Sequence, residues 1–210
     1  MEKEKPILIV GCGPGAPDFL TPAARKAIAR AEVLVGASHL LDLFPKHPAE
    51  RIKVQADIAK ILEEIAVRLH RSKIAVLVTG DPGLYSLAQP VLKRFGRESC
   101  EVIPGISSLQ VAFARLGLDW VNARIIDAHG GNPDIDSAFL AQEEKIAIFA
   151  GRAEAIKWVA NLVRAIGEGY TIYVCENLTL EGEKIRQVKA EDLKNLAVSP
   201  RTIVLLVKKT

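Results

Sequence analysis

Runs of four or five consecutive apolar residues alternate along the chain with stretches whose apolar positions recur every three or four residues. Ile7-Leu8-Ile9-Val10 is such a run, and it stops at glycines. With no polar alternation it reads as a strand buried on both faces. Thr21-Pro22 supplies an N-cap and a first helical residue, and that helix is predicted to continue through Ala31. Val33-Leu34-Val35 is a second strand, and Arg51 to Val54 is a short third candidate. Asp57 caps a predicted helix to about Arg71, with Ile58, Ile61, Leu62, Ile65 and Leu69 on one face. Ile74 to Val78 is again a buried strand. A helix from about Tyr85 to Phe95, a strand around Val102 and a helix capped by Ser107 or Ser108 and ending at Leu116 follow. This alternation predicts a mainly parallel sheet with helices on both faces.

Beyond Leu116 the texture changes. Ile125-Ile126 is a strand leading into the loop His129-Gly130-Gly131-Asn132-Pro133. Lys145 to Phe149 is a strand, followed by a helix to about Ile166. Tyr170 to Cys175, Ile185 to Val188 and Thr202 to Val207 read as strands with short connections, which suggests a mixed sheet. The expected fold is therefore α/β in two domains, 1–117 with the mainly parallel sheet and 118–210 with the mixed one.

Composition narrows the function classes. The 210 residues carry a net charge of only +3, with Lys and Arg interleaved among acids. That balance does not call for a nucleic-acid partner, which usually needs a basic face or stripe. An anionic small substrate fits. Cys12, Cys100 and Cys175 are far apart, each in or beside an apolar run, with no metal-ligand spacing. Buried thiols, no protein-ligated metal and a reducing cytoplasm are the expectations. Met1-Glu2-Lys3-Glu4-Lys5 leads straight into a strand and has no signal-peptide apolar region. No apolar run reaches the ~20 residues of a membrane span.

Three loops follow buried strands, and all are built of small residues. Gly11-Cys12-Gly13-Pro14-Gly15-Ala16 formally satisfies the dinucleotide fingerprint. Pro14 has no N–H for a pyrophosphate, and the next helix begins only near Pro22. Gly36 and Ala37 stand where a ribose-binding acid would be expected, so a nicotinamide cofactor is disfavoured. Thr79-Gly80-Asp81-Pro82-Gly83 places a carboxylate at the second strand end, where an Asx turn is the plain structural reading. Pro104-Gly105-Ile106-Ser107-Ser108 follows the third, and its serines either cap a helix or face a ligand. Together the loops point to a ligand crevice at the carboxyl ends of the strands.

These motifs resemble one family. Val10-Gly11-Cys12-Gly13-Pro14-Gly15 with Asp18, Leu20-Thr21 and Ala31-Glu32-Val33 is similar to the opening of the tetrapyrrole methylases. Thr79-Gly80-Asp81-Pro82 and Ile103-Pro104-Gly105-Ile106-Ser107-Ser108 resemble that family's second and third motifs. Finer features resemble its cobalamin-pathway branch that methylates carbon 5 of a corrin precursor, with or without cobalt. They are Val35-Gly36-Ala37-Ser38-His39-Leu40, Ala112 to Leu118, Asp127-Ala128-His129-Gly130, and Cys175-Glu176-Asn177-Leu178 with Glu183-Lys184-Ile185. One departure stands out. Asp127-Ala128-His129-Gly130-Gly131 replaces a Ser-Leu-His-Gly-Arg pattern and so lacks its terminal arginine.

The resemblance implies S-adenosylmethionine as methyl donor, S-adenosylhomocysteine as product, a site in the cleft between two domains, and a homodimer. It implies no protein nucleophile, since aligning two reactants can be worth ~7–11 kcal/mol. Carried over by position, Gly11, Gly13, Pro14, Asp81, Leu84, Ser107 and Ser108 would surround the cofactor, with Ala150 and Thr202 on its adenosine side. His129 and Glu176 are the candidates for a base or polarising group. His39, Tyr85 and Arg152 are candidates for the anionic tetrapyrrole, Arg152 for its carboxylates. In longer relatives a second domain acts on carbon 15, so a separate carbon-15 methyltransferase and decarboxylase is expected. The same fold serves ribosomal-RNA ribose and diphthamide-pathway methyltransferases, and a non-catalytic cofactor binder is a further alternative. Only 5% of residues are aromatic, which disfavours RNA stacking.

Overall fold

The structure, a computed structural model, describes residues 6–209. The expected run-in at Met1–Lys5 lies outside the described residues. Two compact units are formed, Met1–Ser107 and Ser108–Thr210.

The first unit contains β1 (Ile7–Gly11), α1 (Pro22–Ala29), β2 (Val33–Gly36), α2 (Ser38–Leu41), β3 (Glu50–Lys53), α3 (Ile58–Arg68), β4 (Ile74–Val78), α4 (Ala88–Phe95) and β5 (Cys100–Ile103). Its sheet runs β3-β2-β4-β1-β5, and every pair in it is parallel. The uninterrupted apolar runs explain the layering. Leu8 and Val10 of β1 pack with Ala24, Ala27 and Ile28 of α1 and with Leu40 and Leu41 of α2. Ile7 and Ile9 point the other way, onto Ile61 and Ile65 of α3 and Ala88 and Val91 of α4. Both faces of the sheet are thus covered, as a parallel sheet requires.

The expected caps form. Thr21 Oγ1 accepts from the Ala24 N–H at 3.1 Å with Pro22 at the first helical position, and Asp57 Oδ1 accepts from the Lys60 N–H at 3.0 Å. Helix ends fall two or three residues short of the expected ones, at Ala29 and Arg68. One start is corrected. α4 begins at Ala88, not near Tyr85, because Tyr85 has φ +44° and cannot enter a helix. Ser86 Oγ instead accepts from the Ala88 N–H at 3.1 Å while donating to the Pro82 carbonyl at 2.7 Å.

The second unit holds α5 (Ser108–Arg115), β6 (Arg124–Asp127), α6 (Ser137–Leu140), β7 (Lys145–Phe149), α7 (Ala153–Ile166), β8 (Tyr170–Glu176), β9 (Lys184–Val188), α8 (Ala190–Leu193) and β10 (Thr202–Lys208). Its sheet is mixed, in the order β6-β7-β10-β8-β9, with β6 and β7 parallel and the other pairs antiparallel. Ile156, Val159, Ala160 and Val163 of α7 pack on Ile146, Ile148, Ile172, Val174, Val204 and Leu206 of the strands. α5 packs against β10, which is why it groups with this unit although a boundary at 117/118 places it with the first.

All three cysteines are buried. Burial pushes the Cys12 and Cys175 thiols up to about 12, so both stay protonated at neutral pH. Iodoacetamide at pH 8 is therefore expected to leave Cys12 and Cys175 unmodified in the native protein and to label both in urea, as read by mass spectrometry. Rapid native labelling of either would contradict this.

Candidate active site

The carboxyl ends of β1, β4 and β5 lie side by side, so the three loops of small residues leave the sheet at one edge. There the backbones meet. A Cβ placed on Gly105 would sit 2.3 Å from the Gly80 carbonyl oxygen and 2.8 Å from Gly11 Cα. One placed on Gly11 would sit 2.6 Å from the Gly105 nitrogen. Glycine is required because the loops touch each other there. Gly13 and Gly80 form a short antiparallel bridge, Gly80 N–H to Gly13 O at 2.8 Å and Gly13 N–H to Gly80 O at 3.3 Å.

Asp81 fastens this arrangement. Its Oδ1 accepts from the Gly83 N–H at 2.8 Å, the expected Asx turn, and its Oδ2 accepts from the Gly105 N–H at 3.0 Å. One carboxylate thus shapes its own loop and holds the next one. Pro14 and Ser107 are buried at the same edge, and Leu84 is half-buried. His39, at the start of α2, reaches the same loops: its Nε2 lies 3.1 Å from Thr79 Oγ1. Tyr85 is exposed, on the strained backbone after the Asp81 turn.

A second cluster forms at one edge of the mixed sheet. The ends of β6, β7 and β8 and the starts of β9 and β10 coincide there, because β10 and β9 run antiparallel to their neighbours. Ala150, just past β7, donates its N–H to the Thr202 carbonyl at 2.9 Å, and both residues are buried. Thr202 Oγ1 donates to Ser199 O at 2.6 Å. Glu176 is buried: Oε1 accepts from the Ser199 N–H at 3.0 Å and Oε2 from Arg186 Nη2 at 2.6 Å. His129 and Arg152 stand at the same edge. The Arg152 guanidinium donates from Nε and Nη2 to the Ala128 carbonyl, at 3.1 and 2.9 Å, and from Nη2 to Asn132 Oδ1 at 3.3 Å. Ser108 opens α5.

Residues 6–194 match the model of the tetrapyrrole (corrin/porphyrin) methylases. The chain belongs to this family. It is 34% identical, over 85% of its length and 88% of the relative's, to the cobalt-precorrin-7 C(5)-methyltransferase of Salmonella typhimurium. The crystal structure of the cobalamin biosynthesis precorrin-6Y methylase from Archaeoglobus fulgidus superimposes with a TM-score of 0.76 at 25% identity, covering 97% of this chain and 98% of that one. A uroporphyrin-III C-methyltransferase from Thermus thermophilus, solved with S-adenosylhomocysteine, shares the fold at TM-score 0.77 and 21% identity, with 96% and 91% covered.

Several partners in this tetrapyrrole methylase escape a sequence reading. Arg186 pairs with Glu176 because Glu176 lies opposite Lys184, which leaves Arg186 as the diagonal neighbour on the same face. The signal is alternation along β9, usable only once the register is known. Arg186 Nε is buried and finds no acceptor among the described residues. Glu183 accepts from Arg115 Nε at 2.7 Å and from the Thr179 N–H at 2.6 Å, and both bonds, Arg115 first, hold its carboxyl below the usual range. It braces a turn in which Asn177 and Thr179 have positive φ, an uncommon conformation for a β-branched residue. Asp127, noticed only as part of a motif, accepts from both the backbone and the ring of His129.

Two substitutions test the loop junction. Gly105→Ala is expected to cost about 1–3 kcal/mol or more in urea unfolding. Gly169→Ala, at a position with no atom near a new Cβ, should stay within about 0.5 kcal/mol. Asp81→Asn is expected to cost about 1–3 kcal/mol, because its amide sets an N–H against one of the two N–H groups the carboxylate accepts. Wild-type stability of Asp81→Asn would show that the second acceptor oxygen is dispensable.

Proposed function

We propose that the protein transfers a methyl group from S-adenosylmethionine to carbon 5 of a corrin precursor, cobalt-precorrin-7 or its metal-free equivalent, in cobalamin biosynthesis. The observation that carries this reading is the likeness, along nearly the whole length of both chains, to a cobalt-precorrin-7 C(5)-methyltransferase.

The chemistry of the loops fits the donor. Spans 11–16, 79–87 and 104–108 contain one carboxylate, Asp81, and no Lys or Arg. Such a lining suits an adenosyl sulfonium, which is cationic and has no phosphate, and suits a pyrophosphate poorly. When bound, S-adenosylmethionine supplies an electrophilic methyl on positively charged sulfur. Gly11, Gly13, Pro14, Asp81, Leu84, Ser107 and Ser108 would hold it, together with Ala150 and Thr202. Asp81 contributes by fixing the loops that offer backbone groups. His129 and Glu176 remain the residues for handling a proton or polarising the ring, with Glu176 held as an ion-paired anchor by Arg186. Arg152 spends Nε and Nη2 on the 128–132 loop and keeps the two N–H groups of Nη1 for a substrate carboxylate. His39 and Tyr85 complete the set offered to the tetrapyrrole. A homodimer is part of the proposal. Among the described residues no helix is long and apolar enough to cross a membrane.

Incubation with methyl-labelled S-adenosylmethionine and cobalt-precorrin-7, followed by NMR of the product, is expected to place the label on carbon 5. Label on another carbon would overturn the position, and none at all would overturn the reaction. His129→Ala is expected to lower kcat about 10²- to 10⁴-fold, the usual contribution of a general base, while calorimetry gives an unchanged cofactor Kd. Unchanged turnover at saturating substrate would remove His129 from the chemistry.

A further inference from the structure

We infer that Asp127 is a positioning residue that holds His129 as its Nδ1–H tautomer and so presents Nε2 as the proton acceptor. This rests on the methyltransferase reading above. Asp127 closes β6, and one of its oxygens serves two donors of the same residue. Oδ1 accepts from the His129 backbone N–H at 2.8 Å and lies 3.2 Å from His129 Nδ1. The first bond is an ordinary Asx turn and would form with any residue but proline at 129. The second is a ring contact, and a carboxylate can only accept. It therefore requires a hydrogen on Nδ1, which leaves Nε2 with its lone pair in the neutral ring.

The surroundings limit the ring further. Asp127 pairs with Phe149 in the β6–β7 register, and the Phe149 ring lies 5.8 Å from the imidazole at an interplanar angle of 42°. Arg152 holds the next link of the loop through the Ala128 carbonyl. The imidazole is thus fixed by a carboxylate on one side, an aromatic neighbour on another and a braced backbone beneath. It is also half open, with 47% of the side chain exposed.

The step this serves is a proton transfer. When the ring carbon gives its π electron pair to the incoming methyl, the methyl–sulfur bond would break with its electron pair leaving on S-adenosylhomocysteine, and the corrin system gains one positive charge. Loss of a proton from it cancels that added charge. The C–H or N–H bond breaks, its electron pair stays with the macrocycle, and the Nε2 lone pair takes the proton. The resulting imidazolium keeps its Nδ1–H on Asp127. Because the pair is solvent-exposed, its Coulomb attraction is screened. The expected effect of Asp127 is therefore about tenfold in kcat, well below the ~10⁴ of the buried carboxylate in a serine-protease triad.

Two-dimensional long-range ¹H–¹⁵N NMR of the imidazoles reads the tautomer directly. The chain has four histidines, so His129 is assigned by comparing wild type with His129→Ala. With the ring neutral, the wild-type spectrum is expected to show Nδ1–H at His129, and Asp127→Ala to show mainly Nε2–H. Asp127→Ala should lower kcat about tenfold with the cofactor Kd unmoved by calorimetry and with an unaltered circular-dichroism spectrum. An Nε2–H tautomer in the wild type overturns the inference whatever the variants do. Wild-type kcat in Asp127→Ala overturns it as well. The NMR result needs no substrate, so failure of corrin methylation leaves the tautomer measurement decisive for Asp127 and counts against the proposed reaction alone.

Discussion

Where β1, β4 and β5 end, three stretches of backbone come close enough that a methyl group on Gly11 or Gly105 would overlap main-chain atoms of another loop. Everything else at that edge follows from this contact. It brings the glycine-rich loop, the Asp81 turn and the Gly105 turn into one surface, and it lets a single carboxylate bond across two of them. A parallel sheet buried on both faces is what makes the contact repeatable. Strand ends are then held by the sheet, and only the loops are free to vary.

The second unit reaches a comparable arrangement by different means. Antiparallel pairing folds β8, β9 and β10 back so that sequence-distant residues share an edge with the end of β7. Thr202 and Ala150 are joined by a main-chain bond, and Glu176 is tied to Ser199 of the loop before β10 and to Arg186 of β9. The cluster here includes a side-chain ion pair, Glu176 with Arg186, where the first unit joins backbone to backbone and to one carboxylate.

Much of this was legible in the sequence, and the exceptions share a cause. Uninterrupted apolar runs and the caps at Thr21 and Asp57 are local signals, and they hold to within a few residues. Helices α2, α6 and α8 are four residues each, too short to display a 3.6-residue period. The late start of α4 depends on Tyr85 adopting a positive φ, which no propensity for tyrosine suggests. Gly11, Ala150, Glu176 and Thr202 lie at or just past strand ends, whereas Leu84, Tyr85 and Ser108 lie farther along the loops or in α5, and the partners of all were hidden. That Gly11 faces Gly105, or that Arg186 meets Glu176, is a matter of register between strands, and register is a tertiary fact. The glycines look from sequence like room left for a ligand, whereas Gly11 and Gly105 are first of all room left for each other.

The lining around Asp81 has a further bearing on life among other metabolites. Cells hold a crowd of adenosine compounds, most of them polyphosphates. A pocket that recognises the adenosyl portion by shape alone would be occupied mainly by those. In the proposed site, three loops with one carboxylate and no basic side chain would give a polyphosphate no cationic partner and so would favour the sulfonium. On that reading, the basic residues left out of the loops would serve selectivity alongside the residues present.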